Sequence, residues 1–186
     1  MNRIEDERIK FYLQHEERIR EWASLETEVI KLADRFYRSL KGDLDAAVRS
    51  GKIGGDGVDS FLDETWPHWP GLVLRRQDWP QGDEGPHVRL QWHTKTSCFP
   101  PHGELICGVM SSSKKHRQPF TKEARPAYPL QNSWWPAYKN VEPPEDGFWE
   151  GDNLKEYRNH LVATILKAWK DLSPLVDKAV GHQLGS

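Results

Sequence analysis

Hydrophobic residues recur at helical spacing through the first forty residues of the chain. From Ile4 to about Leu40 the apolar positions step by three or four, charged residues fill the opposite face, and neither Pro nor Gly interrupts the series. This pattern predicts a helix longer than those of most globular domains, either continuous or broken near Ala23 and Ser24. With one or two further turns after it, residues 1–50 are predicted to be helical.

The middle of the chain shows the shorter period of β-strands. Residues 72–76 form one candidate strand, residues 87–93 alternate between apolar and polar side chains, and the more apolar run at 105–110 is typical of a central strand. The loops between these runs are too short for a crossover connection, so neighbouring strands must be antiparallel. We therefore expect a small antiparallel sheet of about three strands over residues 71–113.

The last third of the chain begins without a clear period and ends with a helix. Residues 114–152 are rich in Pro and Trp and are predicted to be irregular. Asn153 and Glu156 have the spacing of a capping box and an apolar stripe follows, so residues 153–181 are predicted to be helical. The whole pattern predicts a single α+β domain over residues 1–186. Its sheet is flanked by a long N-terminal helix, or helix pair, and by a C-terminal helix.

The composition is that of a polar globular protein. The 186 residues have a formal net charge of −2, include nine Trp and two Cys, and contain no apolar run long enough to cross a membrane. The low cysteine content and the absence of a signal-peptide pattern predict a cytoplasmic protein. Charge is unevenly distributed: residues 71–125 carry 9 basic and 5 acidic side chains, a net of +4, and are the only basic part of the chain.

Four potential zinc ligands lie within fifteen residues of the predicted sheet. They are His93, Cys98, His102 and Cys107, and zinc accepts such a set in tetrahedral geometry. The spacing contains neither the Cys-x2-Cys nor the His-x3-His pattern of common zinc fingers. Cys107 also falls in an apolar strand, where a free cysteine behaves as a small buried hydrophobe. The sequence therefore predicts no metal and no other cofactor.

The two helical ends of the chain resemble a known group of proteins. The segments HEERIREWASLETEVIKLADRF and KAWKDLSPLVDKAV are similar to uncharacterised bacterial and phage proteins. Those proteins are loosely grouped with the PD-(D/E)XK nuclease superfamily and its defence-system relatives. The resemblance implies a metal-dependent nuclease, or a degenerate or accessory relative of one, linked to phage defence or counter-defence.

The catalytic motif of that superfamily is not matched in this sequence. The motif consists of an Asp on one strand and Glu/Asp/Gln-x-Lys on the next, and Asp78 or Asp83 could supply the first part. Gln91-x-His93 stands where Gln-x-Lys is required, and Lys95 follows two residues too late. We therefore assign no catalytic residue, and an enzyme acting on nucleic acid is an alternative to the leading hypothesis.

Basic, amide and aromatic side chains of the middle region form the candidate binding surface. Alternate residues of the strand at 87–93 project to one side, and basic groups from the neighbouring strand and from the segment after the last strand can join them. Basic groups beside stacking aromatic rings are what single-stranded nucleic acid or a nucleotide requires. The candidate ligand-binding residues are Arg75, Arg76, His87, Arg89, Gln91, His93, Lys95, Lys114, Lys115, Arg117, Trp134 and Trp135.

The length of the first helix is the main argument for a protein partner. A helix of about 37 residues would span about 55 Å, whereas a strand of about five residues spans only about 17 Å. If the helix is continuous, part of its apolar stripe needs a second copy of the chain or a helix of another protein. The leading hypothesis is therefore a non-enzymatic recognition or accessory protein acting through protein–protein interaction, with nucleic-acid or nucleotide binding as an alternative.

Overall fold

The structure is a computed structural model that describes residues 6–53, 57–82, 85–94, 105–113, 120, 123–142 and 152–181. Within these ranges the helices are α1 (Glu7–Ser39), α2 (Lys41–Arg49) and α3 (Asn153–Val180). The strands are β1 (Val58–Asp63), β2 (Gly71–Arg76), β3 (His87–Gln91), β4 (Ile106–Met110) and β5 (Ala137–Asn140). They form one antiparallel sheet in the order β1-β2-β3-β4-β5, so the predicted α+β class is confirmed.

The sheet has five strands, and the prediction of about three was wrong because it missed both edges. The missed strands are β1, with the sequence VDSFLD, and β5, with the sequence AYKN. Only the first residue of each is buried. An edge strand has a neighbour on one side only, so fewer of its side chains need to be apolar and its hydrophobic pattern is weak.

The first helix is continuous through Ala23 and Ser24, where a break was one of the two expectations. It contains 33 residues, which corresponds to a length of about 50 Å. Asp6 caps its N-terminus, because the carboxylate accepts a hydrogen bond of 2.9 Å from the backbone N–H of Arg8. His15 departs from helical geometry, with φ −122° and ψ 15°, and the axis bends there.

Only the C-terminal end of α1 is buried. Ala33 is the first buried residue of the helix, and Tyr37 and the C-cap residue Leu40 follow it into the main core. None of the residues from 7 to 32 is buried. This projecting part, residues 7–32, is named the α1 arm.

The helices cover one face of the sheet, and this helix face holds the hydrophobic core. Two indole groups are anchored there by hydrogen bonds: Trp79 Nε1 donates to Asp177 Oδ1 at 2.8 Å, and Trp169 Nε1 donates to the carbonyl of Ile53 at 2.9 Å. The buried apolar residues of the core include Leu72, Leu74, Val88, Leu90, Cys107 and Val109 from the sheet and Leu161, Ile165, Ala168 and Leu172 from α3. Alternate residues of the strands point to the other side, which is named the cleft face.

The C-terminal helix has the predicted extent but a different N-cap. It ends at Gly181, whose φ of 79° lies in the left-handed region that glycine favours. Its N-cap is Asp152 and not Asn153, so the capping box expected from Asn153 and Glu156 is not formed. None of the helices in the described ranges is long and apolar enough to cross a membrane.

Candidate binding cleft

The cleft face carries a cavity of about 560 Å³, named the tryptophan cleft. The described residues that line it are Trp66, Trp69, Gln91, Ile106, Met110, Asn132, Trp134, Trp135, Tyr138 and Asn140. Five of these are aromatic, three carry amides, and none is charged. Its floor comes from β3, β4 and β5, and its walls come from the segments that precede β2 and β5. Pockets for small molecules occupy about 300–1,000 Å³, so the cleft has the size of such a site.

A tight turn before β5 positions one wall. The side-chain oxygen of Asn132 accepts hydrogen bonds from the backbone N–H groups of Trp134 (2.9 Å) and Trp135 (3.0 Å). The backbone N–H of Ser111 donates to the carbonyl of Trp134 at 2.8 Å and ties the turn to the end of β4. Trp135 is buried, with its ring 5.8 Å from that of Tyr138, whereas Trp134 is 41% exposed at the rim.

The opposite wall is the segment between β1 and β2. Its backbone turns at Trp66, whose carbonyl accepts a hydrogen bond of 2.8 Å from the N–H of Trp69. Arg89 Nη2 donates to the carbonyl of Trp69 at 2.6 Å and fastens this turn to β3. The indole of Trp66 meets that of Trp134 edge to face at 5.5 Å, so the two walls touch at one place on the rim.

A buried ion pair next to the cleft supports the same wall. Arg89 is fully buried, and its guanidinium donates to the carboxylate of Asp63 on β1. Burial acts to raise the pKa of Asp63, but hydrogen bonds from Thr65 and the charge of Arg89 outweigh it, and the pKa lies below its usual value. Gly71 lies between them on β2, and a Cβ there would collide with the Arg89 side chain. The glycine therefore makes room for the guanidinium.

Gln91 places an amide in the floor of the cleft. The residue is only 6% exposed, yet its side chain makes no hydrogen bond to any described residue. Its amide atoms are not among the fully buried polar atoms that lack a partner, so the amide is open to the space of the cleft. Register places Gln91 opposite Ile106, and Ile106 opposite Asn140, so the two amides lie two strands apart, at about 10 Å, on either side of an apolar residue.

The structure places several predicted site residues on the cleft face and buries the three that lie on β3. His87, Arg89 and Gln91 alternate along β3 on this face, as the sequence predicted, and are between 0% and 7% exposed. Arg75 on β2 shares the face, and its guanidinium lies 4.9 Å from the centre of the Phe61 ring. These residues therefore form no open basic surface, and their role in binding stays a prediction.

His87 is neutral in the folded protein at pH 7. Its Nδ1 lies 3.0 Å from the carbonyl oxygen of Gly85, and its Nε2 has no partner among the described residues. Burial, with the positive charge of Arg89 next in importance, lowers its pKa to about 4. The ring therefore adds no positive charge to the cleft face.

The other predicted binding residues are dispersed. Arg76 points to the helix face, where its Nε lies 3.3 Å from the carboxylate of Asp177. His93 follows β3 and packs beside the cleft wall, with its ring centroid 4.3 Å from that of Trp69. Trp134 and Trp135 line the cleft. Lys95, Lys114, Lys115 and Arg117 lie outside the described residues.

The four potential zinc ligands are not brought together where the structure describes them. Cys107 is buried in the core of the helix face, and burial raises the pKa of its thiol to about 12. His93 packs against Trp69, away from that core. Cys98 and His102 lie outside the described residues. No group of three or more His, Cys, Asp or Glu in the described part of the chain could hold a metal ion.

The two nuclease-motif candidates that the structure describes lie far apart. Gln91 pairs with Gly71 at the start of β2, whereas Asp78 lies two residues beyond the end of that strand. At about 3.3 Å per residue, roughly 20 Å of chain separates the two positions. Asp83 and Lys95 lie outside the described residues. Asp78 and Gln91 therefore cannot share one metal ion in this arrangement.

Most of the cleft was missed by sequence reasoning. Its missed residues are Trp66, Trp69, Ile106, Met110, Asn132, Tyr138 and Asn140. One signal could have located the walls: each contains Trp followed by Pro, at Trp66-Pro67 and Trp69-Pro70 in one and at Trp135-Pro136 in the other. Pro restricts the residue before it to extended backbone, which suits an aromatic side chain held at a fixed angle.

Comparisons with protein-family models, with curated proteins and with solved structures gave no match for this chain. The nuclease resemblance of the helical ends is therefore neither supported nor opposed by any relative.

Proposed function

We propose that this protein is a non-enzymatic recognition protein whose tryptophan cleft binds a nucleobase. The observation that carries the proposal is Gln91, whose amide lines an aromatic-walled cavity and has no hydrogen-bond partner among the described residues. Proteins bind unstacked bases with this combination of groups, because an aromatic face stacks on the ring while an amide hydrogen-bonds to its edge.

The absence of charge from the described lining supports the base, and not the phosphate, as the group held inside. The nearest buried cation, Arg89, is already paired with Asp63. Among the described lining residues a phosphate would meet only neutral groups, and removing its charge from water without a cation would be costly. A nucleoside and its nucleotide should therefore bind similarly, with the phosphate left in solvent.

The placement of the amides favours a planar ring, and not a sugar, as the ligand. Gln91 and Asn140 lie on either side of Ile106, so they can reach opposite edges of one ring that rests on this apolar residue. A sugar has hydroxyl groups around its whole edge, and the apolar Ile106 between the two amides offers those groups no partner. The cleft therefore matches a ligand with two apolar faces and a polar edge.

Calorimetric titration with a panel of ligands tests the proposal. The panel contains adenosine, uridine, their 5′-monophosphates, a short single-stranded oligonucleotide and glucose. Similar affinity for a nucleoside and its monophosphate is the expected result, and tighter binding of the oligonucleotide would identify nucleic acid as the source of the base. Binding of glucose alone, or of no member of the panel, would overturn the proposal.

Trp134 provides a variant with a matched control. Stacking of a base on an aromatic side chain is worth about 1–3 kcal/mol, so Trp134→Ala should weaken nucleoside binding by roughly 5- to 150-fold. Trp22→Ala removes an indole that is 64% exposed on the α1 arm, and it should leave the affinity unchanged. Equal affinities of the two variants would show that the cleft is not the site.

A further inference from the structure

The α1 arm exposes more apolar surface than a helix in solvent normally does. Six of its large side chains lie in or beside one row of residues along the helix. They are between 38% and 64% exposed: Phe11, Tyr12, Trp22, Leu25, Val29 and Leu32. Burial of aromatic and aliphatic side chains is worth about 1.5–3 kcal/mol each, so leaving all of them in water forgoes a large stabilisation. An exposed patch of this kind is typical of an interaction site.

One heptad row runs from the arm into the core of the domain. Ala33, Phe36 and Leu40 belong to this row and pack into the core. The row continues backwards along the arm at the same alternating spacing of three and four, through Val29, Glu26, Trp22, Ile19, His15 and Tyr12. Such a row on two helices forms the seam of a coiled coil. The domain covers the end of the seam and leaves the part in the arm open.

We propose that the open seam is covered by the α1 arm of a second copy of this chain, in antiparallel orientation. Facing residues then have numbers that add up to 41, so that Ile19 meets Trp22 of the other copy and Tyr12 meets Val29. In this register residue 9 faces residue 32. The overlap therefore begins near the start of the helix and stops just before Ala33, where the domain begins.

The only acidic residue of the open seam finds a partner in this register. Glu26 would be costly in an apolar seam, but it faces His15 of the other copy, and the two side chains can hydrogen-bond. A polar residue at a seam position commonly specifies register in this way. The bend at His15 lies in the same layer, with apolar layers on either side of it.

Charge along the arm also favours the antiparallel orientation. Residues 7–20 carry 4 basic and 3 acidic side chains, a net of +1. Residues 21–32 carry 1 basic and 3 acidic side chains, a net of −2. An antiparallel pair places the positive half against the negative half, whereas a parallel pair places the two negative halves together.

Light scattering on seam and control variants tests whether the arm associates. Wild-type protein should be a dimer, and Trp22→Glu should raise the dimer dissociation constant at least ~100-fold by placing a charge in the seam. Leu13 is 54% exposed but lies outside the row, so Leu13→Glu should leave the dimer intact. A monomeric wild type, or equal weakening by both variants, would overturn the proposal.

Disulfide cross-linking tests the register independently. Tyr12→Cys and Val29→Cys chains, each with Cys98 replaced by Ser, should cross-link to one another when a tagged form of one is mixed with the other. Preferential cross-linking of each variant to itself would indicate a parallel pair and would overturn the proposed orientation.

A charge exchange tests the polar layer. Glu26→Lys should weaken the dimer, and adding His15→Glu should restore it, because the introduced lysine of one copy then faces the introduced glutamate of the other. Circular dichroism checks that the helices remain folded. A double variant weaker than Glu26→Lys alone would contradict the proposed register.

Discussion

Replacement of Asp63 by Ala leaves the buried Arg89 without its carboxylate partner. Arg89 is fully buried and keeps one further hydrogen bond, to the carbonyl of Trp69. Removing one member of a buried pair typically costs about 3–5 kcal/mol, because the remaining charge stays desolvated. The Asp63 side chain is itself 18% exposed, so water can partly replace it. We therefore expect the free energy of unfolding to fall by about 3 kcal/mol, the low end of that range.

Thermal unfolding followed by circular dichroism measures this loss. A change of 1 kcal/mol shifts the melting temperature of a domain of this size by about 2–4 °C, so the Asp63→Ala variant should melt about 6–12 °C lower. The double variant Asp63→Ala/Arg89→Met removes the buried charge together with its partner. An apolar pair of similar volume is often as stable as a buried ion pair, so the double variant should recover most of the loss.

Two results would refute the reasoning about this pair. A loss below about 1 kcal/mol would place Arg89 in the range of solvent-exposed ion pairs. A double variant no more stable than Asp63→Ala would show that the missing carboxylate, and not the unpaired guanidinium, causes the loss.

Three other residues give further predictions. Gly71→Ala forces a Cβ into Arg89 and should cost about 1–3 kcal/mol in urea unfolding, the usual penalty of overpacking. Burial lowers the pKa of His87 from 6.5 to about 4. Between these two pH values the imidazole is protonated in the unfolded chain and neutral in the folded protein. The free energy of unfolding should therefore be unaffected by His87 above about pH 6.5 and should fall towards pH 4, by up to ~1.4 kcal/mol per pH unit. His87→Phe should flatten that pH dependence, which urea unfolding at several pH values measures. Cys107 is fully buried with a raised pKa, so in a chain with Cys98→Ser a thiol reagent should react only at the rate of unfolding.

The helices and the central strands could be predicted because their hydrophobic periods are regular. β3 is the clearest case, since Val88 and Leu90 point to the core while His87, Arg89 and Gln91 point away from it. The two edge strands could not be predicted, because each buries only one residue. A period can be recognised only where burial repeats along the strand.

The walls of the cleft could not be predicted from periodicity, because the segments that form them have none. A polar face on an antiparallel strand usually faces water, and this expectation made Arg89 a candidate for a basic surface. In the structure the Trp66–Trp69 turn and the turn at Asn132 form walls over that face, and Asp63 neutralises Arg89. The partners come from distant parts of the chain, and no local pattern specifies which of them meet.

Calorimetric titration of wild-type protein and of Gln91→Leu with the same nucleoside tests the central claim most directly. Leucine has a similar volume but cannot hydrogen-bond to a base edge, so the cleft should keep its shape and lose its specific contact. Wild-type protein should bind, and the variant should bind at least ~10-fold more weakly while melting at the same temperature or higher. Equal affinity for the two proteins, or no binding by either, would contradict the account of the tryptophan cleft as a nucleobase site.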